Sequence, residues 1–311
     1  YAIYVPNAGA AVIASGVAAG AVTSSGLASG SVGGTAIADG SITSADLGPS
    51  LLNSTFWNLG GNAGTTAGTH FLGTTDNQSL DMRVNNTLAL QIRPGVTLPN
   101  IVGGLAANRP SVIASGVSGA VIAGGNAPSA GVNGFGGGDF QAVYDDDGTV
   151  GGGFGNKVGT DNGDVTDAAF ATVAGGVFNN ATAYAATVAG GDSNLADGQR
   201  AAVLGGYANR AGSAASAVGG GLQNTVQSGA DYSTVGGGNF NRILGNSPIS
   251  TIAGGQYNLI SSNSPYATIG GGTNNSIGEY SDHATIAGGG LNIMPYFALG
   301  GTISGGIANP M

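Results

Sequence analysis

From residue 173 onward one apolar position recurs in phase. Val173, Val188, Val203, Val218, Val235, Ile252, Ile269, Ile286 and Ile303 stand 15 and then 17 residues apart. Each opens the same phrase: an apolar residue, any residue, two glycines, two free positions and an asparagine; an earlier copy begins at Val150. A fixed period in this range marks a solenoid, whose units bury their apolar faces only by stacking on neighbours. In the longer coils the residue before the anchor is always threonine (Thr234, Thr251, Thr268, Thr285, Thr302), and the one before that is small. Strand side chains alternate faces, so the small residue and the anchor point inward and the threonine outward.

A second apolar column follows eight residues after the first, at Ala181, Ala196, Ala211, Val226, Ile243, Ile260, Ile277 and Met294. Its three alanines fall in the 15-residue coils and its larger residues in the 17-residue ones. Constant interior packing then predicts a solenoid that widens toward residue 311. Stacking at about 4.8 Å sets threonine over threonine, with hydroxyls in reach of one another. The asparagines, Asn179 through Asn309, form a comparable ladder, and the glycine pair supplies a bend with positive φ. The fold class is therefore all-β: a parallel β-solenoid, or β-roll, of 15- and 17-residue coils.

The chain upstream divides into three further parts. Residues 1–50 read as a narrow repetitive shaft or assembly segment. There Val12, Val17, Val22, Leu27, Val32, Ile37, Ile42 and Leu47 recur every five positions, and Gly20–Leu27 returns as Gly40–Leu47, a ten-residue period. Five suits neither a helix nor a plain strand, so a narrow β-solenoid or an intertwined fibrous shaft is expected, not a Gly/Ser linker. Residues 51–100 read as a small inserted β module, a knob containing Trp57 and Phe56. Alternation at Leu80, Met82, Val84 and then Leu88, Leu90, Ile92 flanks a hairpin turn at Asn85-Asn86-Thr87. Residues 101–170 hold two degenerate coils, at Ile101–Gly104 and Ile122–Gly125, and an acidic glycine-rich insertion that interrupts the ladder. Residues 171–311 are the regular solenoid.

Composition narrows the function. Glycine numbers 62 and charged residues make up only 7%, yet 41% is hydrophobic and the glycines fall in register, which excludes low-complexity disorder. The net charge is −9 with seven scattered Lys and Arg, so nucleic acid is not an expected partner. No apolar run is long enough to span a bilayer as a helix. A chain beginning at Tyr1 without cysteine is read as exported, extracellular or cell-surface, its signal already removed.

Asn194-Leu-Ala-Asp-Gly-Gln-Arg-Ala-Ala-Val-Leu-Gly205 fits at every position the repeat Asn-x-Ala-x-Gly-x-x-Ala-x-Val-x-Gly. Over about 173–309 the chain thus resembles the head domains of trimeric autotransporter adhesins. That resemblance implies a left-handed parallel β-roll. A weaker resemblance, at Ala38–Leu47 and Gly73–Asn77, links about 20–100 to the shafts of bacterial surface fibres and phage tail fibres. The coils themselves argue for self-association: two buried anchors per coil do not offset the ordering of 15 or more residues, so a homotrimer is expected. The last copy runs to Pro310-Met311, and its open strand edge suggests head-to-tail stacking into a filament.

Catalytic chemistry finds little support. His70 and His283 lie in different regions, and His283 occupies the column of Tyr232, Ile249 and Tyr266. Asp231 and Asp282 share a column but lie three coils apart, beyond the spacing of paired glycosidase carboxylates; Glu279 and Asp282 share a loop. The threonines form one column, whereas an ice-binding face needs paired columns. Asp145-Asp146-Asp147-Gly148, completed by Asp139 or Asp161, has the oxygen ligands for calcium but no EF-hand spacing. No catalytic, cofactor-binding or metal residue and no cofactor is assigned. The expected function is a non-catalytic structural subunit of an adhesin-like bacterial fibre, with itself and a surface glycan or host matrix as partners. The alternative is a phage tail-fibre component that binds a cell-surface glycan; a glycan-cleaving spike ranks behind both.

Overall fold

In the computed structural model, residues 27–43, 46, 61–104, 112–125 and 140–309 are described. The chain forms two compact units, Tyr1–Leu72 and Gly73–Met311. Val12, Val17, Val22, Leu47, Phe56, Trp57 and Asp139 lie outside the described residues.

In the first unit the ten-residue period is a period of turns. Ser31 N–H donates to Ala28 O and Ser41 N–H to Ala38 O, both at 3.0 Å, and Gly30 and Gly40 follow with φ of 76° and 74°. A single 3₁₀ turn spans Gly34–Ala36. No strand forms among the described residues 27–43, so the in-phase apolar residues do not build a β-solenoid within one chain there. Leu27, Val32, Ile37 and Ile42 are instead 39–53% exposed.

The second unit begins with a three-stranded antiparallel meander, β1 (Leu80–Val84), β2 (Thr87–Arg93) and β3 (Asn100–Gly103). Asn85 and Asn86 form the two-residue turn with φ of 48° and 57°, the type I′ geometry that matches strand twist. The β1–β2 register pairs Leu80 with Ile92 and Met82 with Leu90, with a bulge after Met82. This hairpin is no separate knob. β3 pairs antiparallel with β2 and, on its other edge, parallel with Val121–Ile122, so the meander heads the solenoid's own first sheet. It acts as a cap, giving the first coil a partner for its backbone.

From β3 the chain winds through two sheets, of 14 strands, the meander included, and 11 strands among the described residues, and all pairing beyond the meander is parallel. Beyond the meander every strand is two residues long. The anchors form one sheet in strict register, Val173 to Val188 to Val203 and onward to Ile303. The second apolar column forms the other, from Ile113 through Ala181 to Met294. Between them a file of single parallel bridges runs from Phe154 through Val177 to Ile307. Coil-to-coil hydrogen bonds join all three: in one coil Thr234, Asn239 and Arg242 N–H donate to Ser250, Gly255 and Asn258 O, each at 2.9 Å.

The core is correspondingly narrow. Val235, Ile252, Ile269 and Ile286 on one side and Ile243, Ile260 and Ile277 on the other are fully buried. The added residues of the longer coils fall between the second column and the next anchor. They bring in a buried polar column, Ser247, Ser264 and Ser281, in which each hydroxyl donates to a carbonyl one coil on (2.8–3.0 Å) and accepts an amide of the next coil. They also add a left-handed corner at Asn246, Asn263, Tyr280 and Phe297.

The second glycine of each pair has positive φ, as at Gly176 (91°) and Gly255 (89°), and the remaining corners use other residues. Phe178, Phe240 and Tyr257 precede the asparagines, and Tyr232, Ile249, Tyr266 and His283 precede the small inward residue, all at φ of 52–60°. Such φ values are uncommon outside glycine and anomalous for a β-branched residue such as Ile249. Each corner amide is held by the coil before it, Ile249 N–H on Asp231 O at 2.8 Å for example. The outward threonines do stack in register, but no hydroxyl hydrogen bond runs along their column among the described residues; their contribution is β-branched packing.

Candidate functional site

The acidic stretch does not interrupt the ladder. Ala142–Val143, Thr149–Val150 and Lys157–Val158 carry both sheets straight through it. Residues 126–139 lie outside the described residues. Gln141, just beyond them, is buried in the asparagine position, its amide donating to Gly124 O (2.8 Å) and Gly153 O (3.2 Å). Asn156 does the same one coil later, to Gly152 O and Gly176 O. Residues 159–168 leave the coil in an excursion between Val158 and the next anchor, Val173.

The aspartate run splays apart. Asp146 Oδ1 accepts Ser118 N–H at 2.7 Å, fastening one coil to the next. Asp147 takes the left-handed corner at φ 55°, its carboxylate over Gly119. Asp145 turns inward and is fully buried; Oδ1 accepts Ala168 N–H at 3.0 Å, while buried Oδ2 has no donor in hydrogen-bonding geometry. Burial first, and then the neighbouring Asp167 carboxyl, push Asp145 up to about 6. Burial, with Asp161 nearby, also raises the Tyr144 phenol. Asp164, fully exposed, is held below its usual value by the Thr166 hydroxyl and amide. Asp161 does not join Asp145, Asp146 and Asp147 around one point. No group of three or more His, Cys, Asp or Glu placed to hold a metal occurs among the described residues.

A cleft of about 410 Å³ opens where the meander meets the first coils. Asn77, Arg93, Val96, Ile113, Ser115 and Val117 contribute to its lining. Arg93 donates through Nε to Gln91 Oε1 and forms no ion pair, whereas Arg83 and Arg210 are committed to Asp81 and Asp197. The cleft has no signature in the sequence because its walls come from β2, the β2–β3 connection and residues 113–117, none of which repeats.

The remaining candidates stay apart. His70 Nδ1 accepts Thr66 N–H at 2.9 Å within the first unit. His283 stacks on Tyr266 with ring centroids 4.6 Å apart, and Phe240–Tyr257 (5.0 Å) and Tyr280–Phe297 (5.1 Å) stack likewise at two other corners of the coil. Asp231 accepts the Ser213 hydroxyl and Ala214 N–H, and the coils of Pro248 and Pro265 separate it from Asp282. At strand spacing that is about 14 Å, too far for paired glycosidase carboxylates. No helix of the described residues is long and apolar enough to cross a membrane. The sequence matches no family model and no curated protein sequence.

Proposed function

We propose that this chain is a non-catalytic structural subunit of an extracellular, cell-surface bacterial fibre, adhesin-like and homotrimeric, acting through rigid multivalent display. The observation that carries this reading is the unbroken parallel ladder from β3 to Thr302–Ile303, in which every coil from Val150 onward repeats one arrangement of anchor, glycine pair and asparagine. A second observation bears on assembly: Leu27, Val32, Ile37 and Ile42 keep their five-residue phase while exposed. Apolar residues exposed in phase acquire a cover when identical chains intertwine. Light-scattering mass and negative-stain microscopy of the full chain test this. Three-chain particles with an elongated shape are expected, and a monodisperse monomer at micromolar concentration rejects the reading.

The alternative, a tail-fibre component that binds a cell-surface glycan, draws on the cleft and on the exposed stacked rings. Sugar rings pack on aromatic faces, and an arginine without an acidic partner suits an acidic sugar. Glycan-array binding that is saturable and lost in Arg93→Ala favours it; binding unaffected by that change removes the cleft from consideration.

A further inference from the structure

Asp145 is the only fully buried carboxylate among the described residues, and it has no cationic partner: the ion pairs there join Arg83 to Asp81 and Arg210 to Asp197. Its Oδ1 is satisfied by Ala168 N–H and the Thr160 amide lies near the carboxylate, but Oδ2 is sealed from water with no donor in hydrogen-bonding geometry. Oδ2 rests against Gly159, a left-handed residue (φ 79°) where a Cβ would lie 1.7 Å from that oxygen. The Asp167 carboxyl lies beside it, brought there by the 159–168 excursion folding back onto the coil. That fold is held independently: Asp146 N–H donates to Val165 O at 2.7 Å and Asn162 Nδ2 to Asp167 Oδ2 at 2.7 Å. A buried carboxylate facing a second carboxylate requires a positive charge between them or a proton.

We propose that Asp145 and Asp167 hold a divalent cation of the calcium class, which clamps the 159–168 excursion to the solenoid. The ligands are oxygens only, with neither imidazole nor thiolate at hand, which favours a hard cation. Asp167 and its neighbours Thr166 and Asp164 are exposed, so water completes the shell on that side, an arrangement calcium tolerates and magnesium resists. Two carboxylates and several waters correspond to a dissociation constant of about 10⁻⁴–10⁻³ M, the range of extracellular calcium modules. The site differs from the aspartate run 145–147: of those three, only Asp145 contributes.

The test uses the full chain, stripped with chelator at neutral pH and titrated with calcium chloride up to about 10 mM, with magnesium as control. Calcium is expected to raise the melting temperature by about 3–8 °C, to saturate at one ion per chain by calorimetry, and to slow amide exchange in 159–168. Asp167→Asn, on the exposed side, should fold normally and lose the response, whereas Asp161→Asn should retain it. Asp145→Asn can still accept from Ala168 and can donate to Asp167, so it is expected to fold without binding calcium. An unresponsive wild-type chain shows that a shared proton alone occupies the pair and overturns the proposal. So does a calcium response that survives in Asp167→Asn.

Discussion

The asparagine ladder makes the sharpest demand on the protein, and Asn241→Ala measures it. Asn241 is fully buried in mid-solenoid. Its Nδ2 donates to Gly237 O (2.9 Å) in its own coil and Gly255 O (2.8 Å) in the next, while Oδ1 accepts Asn258 N–H at 3.0 Å. Gly255 O keeps a second donor, Asn239 N–H at 2.9 Å, so it is not orphaned by truncation. Gly237 O and Asn258 N–H lose their partners in a space closed to water. At about 1–3 kcal/mol for each buried unsatisfied group, the variant should lose about 2–6 kcal/mol. The loss is local because each coil contacts only its neighbours, so it splits the stack instead of lowering it uniformly. Amide exchange read by mass spectrometry should show protection falling in residues 235–260 while 172–210 keep theirs, and urea unfolding should become biphasic. Asn241→Asp should cost at least as much, since it turns the contacts of Nδ2 with Gly237 O, Gly255 O and Asn224 Oδ1 into repulsive oxygen–oxygen contacts. A change below about 1 kcal/mol in Asn241→Ala, with protection intact at Asn258, would refute the view that the ladder holds the coils together.

The paired glycines separate conformation from space: Gly255 has φ 89° and a Cβ there would stand 2.1 Å from Gly272 O, whereas Gly254 has ordinary φ and no neighbour nearer than 4.0 Å. Gly255→Ala should therefore abolish or strongly impair folding by circular dichroism and yield, and Gly254→Ala should change stability by less than about 1 kcal/mol; equal effects would be inconsistent with this geometry. Ser264→Ala should cost about 1–3 kcal/mol in urea unfolding, because it orphans Gly278 O and Ser281 N–H in the core; a neutral result would mean that the serine column is filler. In chelator, the native Asp145 carboxyl, raised from 3.8 to about 6, binds its proton more tightly than the unfolded chain does. Its stabilising contribution is then full below about pH 4 and is lost as pH rises through about 6. Relative to Asp145→Asn the wild-type chain should weaken between about pH 4 and 6 in denaturant titrations and level off above, and a flat or rising difference contradicts the assignment.

The solenoid was legible because each of its requirements recurs at one place in every coil and admits few residue types. A corner flanked by two carbonyls and one amide to be satisfied, with no room for water, is filled by asparagine ten times from Asn156 to Asn309. The close approach of Gly255 to Gly272 O likewise admits no side chain. Other features carry equal structural weight without a readable signature. The corners at Phe178, Tyr232 and Ile249 are left-handed because backbone hydrogen bonds to the previous coil hold them so, and their side chains point outward, where almost any residue is accepted. Ser247, Ser264 and Ser281 read merely as small. Their role as a second polar ladder appears only once the longer coil is seen to need carbonyls satisfied across a wider interior.

The acidic region shows the same limit from the other side. Gln141 fills an asparagine position with one more methylene, but the number of residues between Gly125 and it breaks the period that would have revealed it. Asp145 and Asp167 are 22 residues apart and meet only because residues 159–168 fold back onto their own coil. Repetition specifies the groups that every coil needs, so it is silent about the groups that only one coil has. A solenoid whose regular coils all bury the same neutral ladder has little reason to bury a charge. Among the described residues the single coil that does so, at Asp145, is for that reason the place where a ligand changes the molecule most, since a cation supplied there removes an electrostatic penalty that stacking cannot relieve.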